Sequence, residues 1–121
     1  MSYHKTQVIG NLGKDPTMAT TPTGLEVCNF SLASSRRHHN GTEEKIWFSV
    51  SVFGNQAKPC AEYLHQGSRV FVEGRLRATE AGNPHTFTKG NGDIGSTFNL
   101  TANQVVFLDG KEVVEEDEVS F

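Results

Sequence analysis

No run in this chain approaches the roughly 20 apolar residues needed to cross a bilayer, and Met1 to Gly10 lacks the apolar core of a secretion signal. A cytoplasmic protein without a membrane partner is therefore expected. Cysteine is scarce. Cys28 and Cys60 are the two, too few for a disulfide framework, and in a reducing compartment both read as small buried hydrophobes. None of the five histidines, His4, His38, His39, His65 and His85, stands at metal-ligand spacing from either thiol, so no metal site is expected. Gly10-x-x-Gly13-Lys14 has neither the spacing nor the following hydroxyl of a phosphate-binding P-loop. No local pattern marks a Ser, His or Asp as catalytic, and no cofactor motif appears. The sequence does not read as an enzyme.

The 121 residues suit one compact domain. A net charge of −3 argues against a polyanionic partner only until the chain is divided. Residues 1–108 carry 10 Lys and Arg against 8 acids, net +2, whereas residues 109–121 carry one base against 6 acids, net −5. The expected organisation is a domain over 1–109 followed by a short acidic tail over 110–121 that is too polar to pack and is expected to be disordered.

Within the body, short strands alternate with Gly, Pro and Asn clusters, the pattern of an all-β protein. Strands are expected at about Tyr3 to Val8, Val27 to Ala33, Lys45 to Phe53, Arg69 to Leu76 and Thr97 to Leu108. The Asp15-Pro16 to Gly24 stretch between the first two reads as a loop or a wide hairpin, and Ser34 to Gly41 as a polar loop with Asn-Gly turn chemistry. Ala57, Ala61 and Leu64 repeat at helical spacing between Gln56 and His65, with Pro59 confined to the first turn and Gly67 as the stop. Glu80 to Gly95 reads as a loop too long to be a passive connector. Five strands with one short helix between the third and fourth is the order of the OB-fold barrel.

The third strand carries the functional signal. Successive strand residues face opposite sides of a sheet. Ile46, Phe48, Val50 and Val52 form an apolar face, and Lys45, Trp47, Ser49, Ser51 and Phe53 form the other. Two large rings among polar residues need an explanation. Unpaired bases stack on such rings while cations meet the phosphates; packing against another subunit or under a loop explains them equally. Arg36 and Arg37, in the loop before this strand, and Arg75 and Arg77, in and after the fourth, add positive charge. Lys5 and Lys89 complete the phosphate candidates. Phe87 is a third candidate platform, flanked by His85 and Lys89. An adaptor that binds protein on the same face is the rival from a different class, and a metal-dependent nuclease is disfavoured because the acids gather in the tail.

Taken together, Gly10-Asn-Leu-Gly-Lys-Asp-Pro16, Asn29-Phe-Ser-Leu-Ala-Ser34, Trp47 to Gly54, Ala61-Glu-Tyr-Leu64 with Gly67-Ser68, and Val70 to Arg77 resemble the successive signatures of bacterial-type single-stranded DNA-binding proteins. The resemblance covers nearly the whole chain. It implies an OB-fold that holds single-stranded DNA without strong sequence preference during replication, recombination and repair. It also implies a nucleoid-associated homotetramer without a cofactor, with Trp47 and Phe53 at stacking positions. Where family members often carry a further tryptophan, this chain has Arg36-Arg37-His38-His39, and after the fourth strand Phe87 is the nearest aromatic. The tip Glu116-Asp117-Glu118-Val119-Ser120-Phe121 resembles the family's docking peptide for replication and repair proteins, with Ser120 where proline is usual.

Overall fold

In the computed structural model, residues 2–108 are described. The acidic tail expected at 110–121, including Glu116 to Phe121, lies outside the described residues. The body comprises β1 (Thr6–Leu12), β2 (Thr17–Thr20), β3 (Glu26–Arg37) and β4 (Glu43–Phe53), a single 3₁₀ turn at Gly54–Gln56 and α1 (Ala57–Tyr63), then β5 (Arg69–Arg77), β6 (His85–Thr88) and β7 (Ile94–Phe107).

Five of these strands close a barrel. β1 pairs with β5, β5 with β7, β7 with β4, and β4 with β3, and β3 returns to β1 through Asn11↔Ala33 and Leu12↔Leu32. All pairings are antiparallel except β4 with β7, which run parallel from Phe48↔Phe98 to Val52↔Ala102. This is the OB topology, with α1 between the third and fourth barrel strands as expected. The remaining two strands are additions: β2 folds back on β3, and β6 folds back on the start of β7.

The interior follows from the period-2 pattern. Leu32, Val50, Val52, Val70, Val72 and Leu100 come from four of the five barrel strands and are fully enclosed, each contributing about 1.5–3 kcal/mol of burial. α1 adds Ala57 and Cys60, with Leu64 following it, against the same core. It is only seven residues long, too short to hold without that packing.

Side chains complete the backbone bonding where the barrel is irregular. A bulge interrupts the β5–β7 ladder, because Glu73 opposes Gln104 while Gly74 opposes Ala102, leaving Asn103 unpaired. Gln56, just ahead of α1, fills the gap: its Nε2 donates to the Asn103 carbonyl at 3.0 Å, and its Oε1 accepts the Val105 N–H at 3.2 Å. Asp15 Oδ1 accepts the Gln66 N–H at 2.7 Å, tying the turn after β1 to the turn before β5. At Gly74 the β5 backbone crosses so near the Thr101 carbonyl that no Cβ would fit.

Several boundaries differ from the sequence expectation. β1 starts later and runs through Gly10 to Leu12, since neighbours on both sides supply ladder bonds there. β3 and β4 continue past Ala33 and ahead of Lys45, so the expected polar loop shrinks to the turn closed by His38 N–H to Thr42 O at 2.8 Å. α1 ends at Tyr63, before Gly67, because Leu64 is extended; Gly67 instead donates to the Leu12 carbonyl at 2.9 Å. The long loop is largely a hairpin: residues 85–88 pair with 94–97, around a turn closed by Lys89 N–H to Asp93 O at 2.7 Å.

Candidate nucleic-acid interface

The alternation expected for β4 is present: Phe48, Val50 and Val52 point inward, while Trp47 and Phe53 expose 43% and 37% of their surface. The two rings stand six strand positions apart, roughly 20 Å. Between them the sheet register builds a polar strip that no single strand contains. One row runs Asn29, Ser51, Thr101, Arg75 and the next runs Ser31, Ser49, Asn99, Arg77 across β3, β4, β7 and β5. Ser51 Oγ donates to Asn29 Oδ1 at 2.8 Å within the first row, and Arg77 Nη1 donates to Thr101 Oγ1 at 3.3 Å between the two. A groove lined by Arg75, Arg77, Thr101 and Asn103 opens at the arginine end.

Small side chains keep the strip low, so a ligand laid across it reaches backbone-near hydroxyls and amides. Hydroxyls donate or accept as needed. Trp47 and Phe87, far apart in sequence, meet at the other end in a cleft of about 460 Å³ with Ser31, Lys89, Gly95, Ser96 and Thr97. Phe87, which the sequence places in a long loop, is a strand residue opposite Gly95. Lys45 Nζ stands 5.8 Å from the Trp47 ring centroid, within cation–π range.

The phosphate candidates separate into groups. Arg75, Arg77 and Lys89 border the strip or the cleft. Arg36 and Arg37 lie in β3, not in a loop, opposite Glu44 and Glu43. As strand neighbours they point to opposite faces, so Arg37 shares the parity of Ala33 and Trp47 and Arg36 does not. Lys5 lies 3.8 Å from Glu73 Oε2, and its ammonium is held above its ordinary value by Tyr3 and then by Glu73. Glu73 also accepts a bond of 2.8 Å from Gln7 Nε2.

Two polar groups on this face did not stand out in the sequence. Among the described residues, His85 Nδ1 and Asn99 Oδ1 are enclosed atoms without a hydrogen-bond partner, which is rare for buried polar groups. Only the register reveals them: His85 opposes Thr97, and Asn99 sits between Ser49 and Arg77. Among the described residues no group of three or more His, Cys, Asp or Glu could hold a metal ion, and no helix is long and apolar enough to cross a membrane.

Comparison with known protein families matches residues 3–108 to the single-strand binding protein family. The chain belongs to that family. Similar curated proteins include two named single-stranded DNA-binding protein, from Neisseria meningitidis serogroup A and serogroup B. Each is 30% identical over 115 residues, covering 92% of this chain and 63% of the relative. The chain thus spans somewhat under two thirds of the length of these relatives. The single-strand binding family match covers β1 through β7 and hence both rings of β4, the polar strip and the Trp47–Phe87 cleft.

Proposed function

We propose that this protein binds single-stranded DNA without strong sequence preference across the outer face of β4 and its neighbours. The single observation that carries the reading is the Trp47 to Phe53 strip, two exposed rings joined by rows of small polar side chains that end on Arg75 and Arg77. Trp47, Phe53 and Phe87 serve as stacking platforms. Arg37, Arg75, Arg77, Lys89 and Lys45 meet phosphates. Arg36 and Lys5 contribute long-range field, the first from the opposite face and the second from an ion pair. Duplex DNA is a poor fit, because stacked bases offer no free faces to the rings.

Self-association is part of the proposal. β3 pairs only with Asn11 and Leu12 of β1, so Thr6 to Gly10 keep one edge without a strand partner among the described residues. Away from the strip, Ile9, Phe71 and Val106 align across three strands, with Ile9 and Val106 well exposed. The open edge of β1 and the apolar face beside it offer two directions of contact between copies of this chain, as a tetramer needs. The acidic tail, with its tip from Glu116 to Phe121, would recruit replication and repair proteins by offering acids to a basic rim and Phe121 to a pocket.

Titration with oligo-dT, followed through the fluorescence of Trp47, tests the main reading. Quenching by the single strand but not by duplex, with a log-log salt slope near −0.7 per phosphate contacted, is expected. No quenching and no change in mobility on a gel would remove the proposal and favour a protein-binding adaptor.

A further inference from the structure

Trp47 and Phe87 come from strands that do not pair with each other, yet each lies against a residue with no side chain. A Cβ added at Gly13 would stand 2.7 Å from Cζ3 and 2.8 Å from Cη2 of Trp47. A Cβ at Gly95 would stand 2.7 Å from Cζ of Phe87 and 3.0 Å from Cε of Lys89. All four distances fall inside ordinary carbon contact, about 3.5–4.0 Å. Backbone conformation does not account for either glycine: neither is among the glycines with positive φ, which are Gly24, Gly41, Gly54, Gly67, Gly82 and Gly92. An alanine at 13 or 95 would meet an aromatic ring and not a strained backbone.

In both places the nearest obstructing atoms are the outer ends of side chains, with Ser31 Oγ a further 3.2 Å neighbour at Gly13, so the ring would move before the strand did. Gly13 is itself anchored, donating to the Ser31 carbonyl at 3.0 Å, and Ser31 lines the cleft between the rings. Gly95 is anchored as the ladder partner of Phe87.

We infer that Gly13 and Gly95 are positioning residues, seats that fix how far Trp47 and Phe87 stand above the sheet on the two sides of one cleft. Each ring lies against a bare backbone and presents its free surface to the ligand. The inference rests on the reading that this face binds single-stranded DNA. It adds that stacking there depends on two residues that touch no base.

The test measures anisotropy of labelled oligo-dT with the full chain and emission of Trp47 in the free protein. Gly13→Ala should shift the emission of free Trp47 and weaken binding on the order of tenfold, within the range of one lost stacking contact. Phenylalanine lacks the Cζ3 and Cη2 atoms that the added methyl meets, so in a Trp47→Phe background Gly13→Ala should weaken binding far less. Gly95→Ala should weaken binding with the emission of free Trp47 unchanged, and its effect should largely disappear in a Phe87→Ala background.

Equal weakening by Gly13→Ala in both backgrounds would overturn the inference, since the residue would then act through the backbone. So would a Gly13→Ala protein whose emission and affinity match the parent. If Gly13→Ala does not fold, folding of the Gly13→Ala/Trp47→Phe double variant assigns the clash to the ring, and failure of both overturns the seat. An unaltered protein that ignores oligo-dT would defeat the reading of the face, while the emission shift would still decide whether Gly13 positions Trp47.

Discussion

Replacing Trp47 by alanine separates a ligand-facing ring from a core ring by magnitude. Stacking of one base on an aromatic is worth about 1–3 kcal/mol, so Trp47→Ala should weaken oligo-dT binding roughly 5- to 150-fold. Its effect on folding should be smaller than that of a core tryptophan, which costs about 3–5 kcal/mol on truncation. Trp47 exposes 43% of its surface, and its neighbours include Gly13 beneath, the side chains of the cleft and Lys45 over the ring. About half the core figure follows, near 2 kcal/mol, or a melting temperature lower by about 4–8 °C per kcal/mol for a domain of this size. Because the variant has no tryptophan, binding is read from anisotropy of labelled oligo-dT and stability from circular dichroism on heating. Unchanged affinity, with a loss of 4 kcal/mol or more in stability on the order of a core truncation, would refute the assignment.

Three further outcomes follow from particular contacts. Arg37→Ala should make the salt slope shallower by up to about 0.7 while Arg36→Ala leaves it nearly unchanged; the reverse order would place the strand on the other face. Leu32 is fully enclosed, so Leu32→Ala should lose about 2–5 kcal/mol in urea unfolding, and a loss under about 1 kcal/mol would contradict the closed barrel. Burial pushes the Cys60 thiol up to about 11, with Cys28 nearby adding to the shift. The folded state therefore keeps a proton that the unfolded chain releases from about pH 9. That contribution is intact below pH 9 and is lost as the pH rises toward about 11. The urea midpoint should fall across this window, and less steeply in Cys60→Ala; equal slopes in the two proteins would refute the shift.

Much of the interface was legible in β4 because a strand states its two faces in its own residues. Alternation from Lys45 to Phe53 identifies the inward and outward sets without knowledge of any neighbour, and the structure keeps both. The turn between α1 and β5 was less legible. Gly67 looked like a helix stop, yet it bonds to Leu12, a partner no local rule could supply. The Arg36-Arg37 pair shows the same limit: read as a loop, it offers two interchangeable cations, but once β3 extends through Arg37 the two side chains face opposite sides. Phe87 was legible as an aromatic near lysine and not as the opposite wall of the Trp47 cleft, because that meeting requires β6 to fold back on β7.

The sequence by itself determined the barrel class, its five walls with an intervening helix, the core faces and the rings of β4, since period-2 patterning and turn residues act between near neighbours in the chain. Tertiary structure alone decided what lies beside those rings. The parallel register of β4 with β7 assembles the rows that end on Arg75 and Arg77, and barrel closure brings Gly13 under Trp47. The bulge at Asn103 is completed by Gln56 from the start of the helix. Each of these depends on strands meeting across long stretches of chain, where the free energy belongs to the closed sheet and not to any local segment.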